Sequence, residues 1–173
     1  LSSPKYISSI TEFLEKNIKF NKEIKILDIG CGRGKIISTL SKKYQMINLP
    51  LGIDIVDHKD VAIKIRFTKA NALRYLSKTK EKFNLILFKQ SIHFFSFEEI
   101  KKILKYSKKN LYPEGKIIIL ALHSKKNNWP SFKVFKKKLT QSLKKDKKIL
   151  DLIKFNFKKY TINHFVFKVQ ITK

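Results

Sequence analysis

A chain of 173 residues with 43% hydrophobic side chains and 14 phenylalanines has the length of one domain and enough apolar surface to bury a core, which excludes intrinsic disorder. Its longest unbroken apolar run, Ile117 to Leu122, falls far short of the roughly 20 residues that span a bilayer. The formal net charge of +26 invites a nucleic-acid partner, yet only three of the 39 basic residues are arginine (Arg33, Arg66, Arg74), and lysine spread over every segment is mostly solvated surface.

Ser3-Pro4 followed by Tyr6, Ile7, Ile10, Phe13 and Leu14 predicts a capped amphipathic helix running to about residue 19. Ile24 to Ile29 reads as a short strand. Helical spacing resumes at Ile36, Ile37, Leu40 and Tyr44, so the glycines between them form a strand-to-helix turn. The alternation continues with strands over Leu49 to Ile55 and Ile63 to Phe67, a helix from about Ala70 to Thr79 and a strand from Phe83 to Phe88. Ser96-Phe97-Glu98-Glu99 is a capping box opening a helix through Ile100, Ile103, Leu104 and Leu111. Pro113-Glu114-Gly115 predicts a turn feeding the strand KIIILAL, whose continuous apolarity implies burial on both faces. Pro130 starts a last helix, Ser131 to about Lys145. Leu150 to Phe157 and Thr161 to Ile171 then alternate at period two, as in an antiparallel hairpin. The expected fold is one α/β domain over residues 1–173, a doubly wound, mostly parallel sheet closed by that hairpin. Ligands of such sheets bind beyond the carboxyl ends of the strands.

Three of the five glycines fall in one turn, Gly30, Gly32 and Gly34, directly behind Asp28. Glycine there lets backbone approach a ligand closely, and Asp54, 20 residues after Gly34 at the end of the next strand, can accept hydrogen bonds from a ribose diol. The spacing departs from the dinucleotide G-x-G-x-x-G pattern, because position six is Lys35. A mononucleotide P-loop fails too, since Gly34-Lys35 is followed by Ile36.

The run Asp28-Ile29-Gly30-Cys31-Gly32-Arg33-Gly34 resembles the first motif of class I S-adenosylmethionine-dependent methyltransferases, and the resemblance extends over nearly the whole chain. All five glycines (30, 32, 34, 52 and 115) lie in segments similar to family motifs. The likeness implies a Rossmann-like seven-stranded sheet and S-adenosyl-L-methionine as cofactor. It implies cofactor contacts from Asp28, Gly30, Cys31, Gly32 and Gly34, from Asp54 and Ile55, from Asn71 and Ala72 at the third strand's exit, and from Lys89 and Gln90 at the fourth. Asn71 stands where the family usually has Asp, and Glu114 replaces a glycine in the turn before strand five.

Methyl transfer from a sulfonium is an in-line displacement, so holding nucleophile and methyl aligned supplies most of the catalysis. A base is needed only for a protonated nucleophile. His93 is the general-base candidate, because imidazole titrates near neutral pH; the alternative is a histidine packed among Ile92, Phe94 and Phe95 that orders the loop. Cys31 reads as a small turn residue. His58, His123 and His164 lack ligand-like spacing, so no metal is expected. Tyr6, Trp129 and Phe132 wall a substrate pocket or belong to the core. The single cysteine fits a reducing, cytoplasmic setting, no signal-peptide pattern opens the chain, and a start at Leu1 implies a lost upstream segment.

The expected acceptor is a small molecule, with no membrane partner. An RNA acceptor, methylated on ribose or a guanine nitrogen, is the alternative that the charge suggests. Exocyclic base-nitrogen methylation would need Asn/Asp-Pro-Pro-aromatic where Lys89-Gln90-Ser91-Ile92 stands. A non-catalytic module keeping the fold is the third reading.

Overall fold

The computed structural model describes residues 3–123, positions 137, 140, 141 and 144, and strands 153–161 and 164–172. Ser3 caps the first helix by accepting from the Tyr6 amide, and Pro4 takes its first position, giving α1 (Pro4–Glu15). It ends four residues earlier than expected, as the amides of Asn17 and Ile18 both fold back onto the Leu14 carbonyl. Then follow β1 (Ile26–Ile29), α2 (Lys35–Lys43), β2 (Leu51–Asp54), β3 (Arg66–Lys69), α3 (Ala72–Lys78), β4 (Phe83–Lys89) and a 3-10 turn (Ile92–Phe94). The chain continues with α4 (Phe97–Lys109), β5 (Leu111–His123), β6 (Ile153–Thr161) and β7 (His164–Thr172).

The seven strands form one sheet in the order β3-β2-β1-β4-β5-β7-β6. The first five run parallel, and β7 lies antiparallel between β5 and β6, which is the expected closing hairpin. The order reverses between β1 and β4, so the glycine turn and the end of β4 emerge side by side at the switch point.

Side-chain alternation sorts the core into two layers. Leu27, Ile29, Ile86 and Phe88 pack with Leu76, Ile100, Ile103 and Leu104. On the other face Ile26, Leu85 and Leu87 pack with Ile10, Phe13 and Leu14 of α1 and with Ile36, Ile37 and Leu40 of α2. The same alternation turns Asp28 and Lys89 toward α1.

Leu111, expected on the helix opened at Ser96, instead opens β5 opposite Phe83, and two further expected boundaries are corrected. The third strand begins at Arg66 instead of Ile63, because the residues before it are held by the glycine turn: Ala62 donates to the Arg33 carbonyl, Ser38 Oγ donates to the Ile63 carbonyl, and Ile65 packs beside Gly34. Lys64 takes φ +63°, which no strand accommodates. Pro113-Glu114-Gly115 is a bulge inside β5, with the pairing jumping from Phe83↔Leu111 to Leu85↔Lys116. Glu114 adopts φ +61° there, and a Cβ on Gly115 would stand 2.8 Å from the Tyr112 carbonyl oxygen. The helix expected over Ser131 to Lys145 lies almost wholly outside the described residues, as does Trp129.

Candidate active site

Gly30, Gly32 and Gly34 all occupy the left-handed region, at φ +70°, +56° and +68°. Their surroundings differ. A Cβ on Gly30 would stand 2.4 Å from Ser91 Cβ and one on Gly34 2.2 Å from Ile65 Cδ1, so these two admit neighbours; Gly32 has nothing within 4 Å and faces open space. The Gly30 and Cys31 amides donate to the Ile53 carbonyl, at 2.8 and 3.1 Å, and lock the turn to β2.

Asp54 ends β2 beneath this open space. Its Oδ2 accepts the Gly32 amide at 2.8 Å and its Oδ1 the Val56 amide at 3.0 Å, which orients the carboxylate while leaving each oxygen a free lone pair. His58 Nε2 stands 3.7 Å from Oδ2. Ile55 is 68% exposed, an unusual outlay of apolar surface beside a carboxylate. From Ile55 a groove of about 630 Å³ runs past Lys69, Ala70, Asn71, Arg74 and Tyr75. Asn71 caps α3 by accepting from the Arg74 amide at 3.1 Å, and Ala72 is buried behind it. A larger hollow of about 830 Å³ lies at the opposite, amino end of the sheet, around Ile24, Asn84 and Glu114, away from all of these residues.

Cys31 is buried, with its sulfur seated where a Cβ on Gly52 would come within 2.6 Å. Burial, reinforced by Asp28 and Asp54, pushes its thiol well above the usual range. The neutral thiol packs and does not attack.

On the α1 face of the switch point, Asp28 is fully buried and neither carboxylate oxygen has a hydrogen-bond partner. Burial pushes its pKa up to about 7, opposed by the nearby Lys89 ammonium and aided by Asp54. Gln90, at φ +59°, donates its Nε2–H to the Tyr6 hydroxyl at 2.5 Å, while its Oε1 is buried and unpartnered. Lys89 Nζ lies 6.0 Å from the Tyr6 ring centroid. Ser91 Oγ donates to the Ile29 carbonyl at 2.5 Å and ties β4's exit to β1. His93 sits in the 3-10 turn just beyond; of its neighbours Ile92 is buried, Phe95 half-buried and Phe94 78% exposed.

A family model described as a methyltransferase domain matches residues 26–115, from the start of β1 into the β5 bulge. The chain belongs to the class I S-adenosylmethionine-dependent methyltransferases. Solved structures similar to this methyltransferase share its fold at low identity. The N-methyltransferase NodS of Bradyrhizobium japonicum is 13% identical over 100% of both chains, with a TM-score of 0.67. The magnesium protoporphyrin IX methyltransferase of Synechocystis, solved with bound S-adenosylmethionine, is 11% identical over 98% of this chain and 79% of that one, with a TM-score of 0.63. A TehB-like methyltransferase of Corynebacterium glutamicum is 19% identical over 95% and 88%, with a TM-score of 0.64. Among curated proteins no sequence match is found.

The methyltransferase's cofactor is S-adenosylmethionine, and the residues present fit it in two respects. The open space over Gly32 adjoins the Asp54 carboxylate, as a nucleoside requires. The unpaired acceptors of Asp28 and Gln90 suit an ammonium, which carries only donors. Among the described residues no group of three side chains could hold a metal, and no helix is long and apolar enough to cross a membrane. Tyr6, which the sequence offers as a pocket wall or a core residue, holds Gln90, and Ser91 at the end of β4 holds the Ile29 carbonyl. These two contacts become visible only in three dimensions.

Proposed function

We propose that this methyltransferase acts on a small-molecule acceptor, with Asp54 holding the cofactor's ribose, Ile55, Asn71 and Ala72 its adenine, the Gly30–Gly34 turn its centre, and Asp28, Lys89 and Gln90 its amino-acid end. The observation that carries this division is that the two halves of the site, at the ends of β2 and β4, offer opposite chemistry. One presents an oriented carboxylate beside exposed apolar surface, and the other presents buried acceptors beside an ammonium.

When bound, S-adenosylmethionine supplies an electrophilic methyl group on a sulfonium. The chain's task is to fix its two ends, so that an acceptor entering by β4's exit meets the methyl in line. His93, in the turn leaving β4, takes the proton of an acceptor that arrives protonated. Phe94 offers apolar surface to that acceptor. Lys89-Gln90-Ser91-Ile92 in place of the base-nitrogen motif also favours a small molecule over a nucleobase.

One observation favours an RNA acceptor instead. The groove beyond Ile55 is cationic through Lys69, Arg74 and Lys78, while its carboxylate, Glu81, is engaged by Arg66 at 2.9 Å. Calorimetric titration with S-adenosylmethionine, on wild type and Asp54→Ala, tests the cofactor seat: tight binding lost in the variant supports it, and binding retained refutes it. Incubation of the enzyme with methyl-labelled cofactor and a cell extract tests the acceptor. Label in the low-mass fraction supports a small molecule, and label precipitating with RNA overturns it.

A further inference from the structure

We propose that Tyr6 is a positioning residue for the cofactor's amino-acid end, acting through Gln90, so that helix α1 is a working part of the binding site. This rests on the reading of the Asp28 corner given above. Tyr6 lies outside the segment matched by the family model, and 84 positions separate it from Gln90.

Gln90 is held from two directions. Its backbone stands in the left-handed region, which costs a side-chain-bearing residue about 1 kcal/mol, and its amide donates to the Leu120 carbonyl at 2.7 Å. Its side chain is held from α1, where the Tyr6 hydroxyl accepts Nε2–H at 2.5 Å. A primary amide has one donor end and one acceptor end, so engaging the nitrogen commits Oε1 to the other side. That oxygen is buried without a partner, as are both oxygens of Asp28. Three unpartnered acceptors behind one turn are costly unless a donor arrives. An α-ammonium brings three N–H donors and no acceptor, and the Lys89 ammonium over the Tyr6 ring suits the carboxylate next to it.

Tyr6 can direct Gln90 only if α1 itself is fixed, and it is. Ile10, Phe13 and Leu14 are buried against Ile36, Ile37 and Leu40, and Glu15 binds Lys43 Nζ at 2.6 Å while accepting the Tyr44 hydroxyl at 3.0 Å. The hydroxyl of Tyr6 is therefore a rigid reference point.

The test compares S-adenosylhomocysteine, which has the amino-acid end, with 5′-methylthioadenosine, which lacks it. By calorimetry, Tyr6→Phe should weaken S-adenosylhomocysteine about five- to tenfold, the scale of one hydrogen bond, and leave 5′-methylthioadenosine unchanged. Gln90→Ala should weaken S-adenosylhomocysteine likewise, and adding Tyr6→Phe to it should change nothing further. Equal weakening of both ligands by Tyr6→Phe, no weakening of either, or additive effects in the double variant would overturn the proposal. Wild type that binds 5′-methylthioadenosine as tightly as S-adenosylhomocysteine also overturns it while leaving the Asp54 seat intact. Wild type that binds neither ligand overturns the cofactor seat and the proposal together.

Discussion

Replacing Asp28 by asparagine should stabilise the cofactor-free protein at neutral pH while spoiling the site. The carboxyl of Asp28 has its pKa raised from 3.8 to about 7 by burial, a change equivalent to about 4 kcal/mol. Well below the unfolded pKa of 3.8, at about pH 3 and under, the group is protonated whether the chain is folded or not, and it costs nothing. As pH rises from about 4 to about 7 the unfolded chain releases this proton and the folded chain keeps it, so folding stability falls through that window and the loss is constant above it. Asparagine has the same shape and no charge. The stability difference between Asp28→Asn and wild type should therefore open from near zero at about pH 3 to about 4 kcal/mol at about pH 8. Urea unfolding of both proteins across that range reads the difference directly, as a midpoint separation of more than about 1 M. Taking the difference cancels every other titrating group. With S-adenosylhomocysteine at a hundred times its Kd, wild type should regain about 2.7 kcal/mol and the variant less. A difference that does not change with pH, or a variant less stable than wild type at pH 8, would refute the assignment of Asp28 as an unpaired buried acid.

The glycine turn supports a paired comparison. Gly32→Ala should cost only about 1–2 kcal/mol of stability, since nothing lies within 4 Å, yet cut S-adenosylmethionine affinity by calorimetry; Gly30→Ala should instead destabilise the fold severely in urea, as Ser91 Cβ occupies the space. Ser91→Ala frees the buried Ile29 carbonyl and should lower stability by about 1–3 kcal/mol. His93→Gln should reduce kcat by about a hundredfold or more and remove the acidic limb of the pH–rate profile without altering S-adenosylhomocysteine affinity; an unchanged profile would leave the residue only the ordering of its loop.

The glycine turn, Asp54 and the alternation of strands and helices were legible because each is local: a strand, a turn and a strand end lie within 30 residues and are dictated by backbone needs. The third strand was misplaced because Ile63, Lys64 and Ile65 look like strand residues, and what pulls them out of the sheet is contact with Arg33, Ser38 and Gly34. The bulge in β5 was hidden for a similar reason. Pro-Glu-Gly announces an irregularity, but only the register against β4 shows that pairing resumes across it. The amino-acid end of the site was the least legible part. Asp28 belonged to a motif, but its lack of partners and the reach of Tyr6 to Gln90 depend on helix packing that no spacing encodes.

One rim of the sheet ends at β3, four residues long, with Arg66, Thr68 and Lys69 exposed. Its outer edge has backbone groups able to template a strand from another molecule. A second copy arriving there at the strand spacing of about 4.8 Å would bring Lys69, and Arg66 with its partner Glu81, against charged counterparts closer than salt screens at about 8 Å. A charged, four-residue edge of this kind disfavours edge-to-edge pairing of two copies and leaves the rim to solvent.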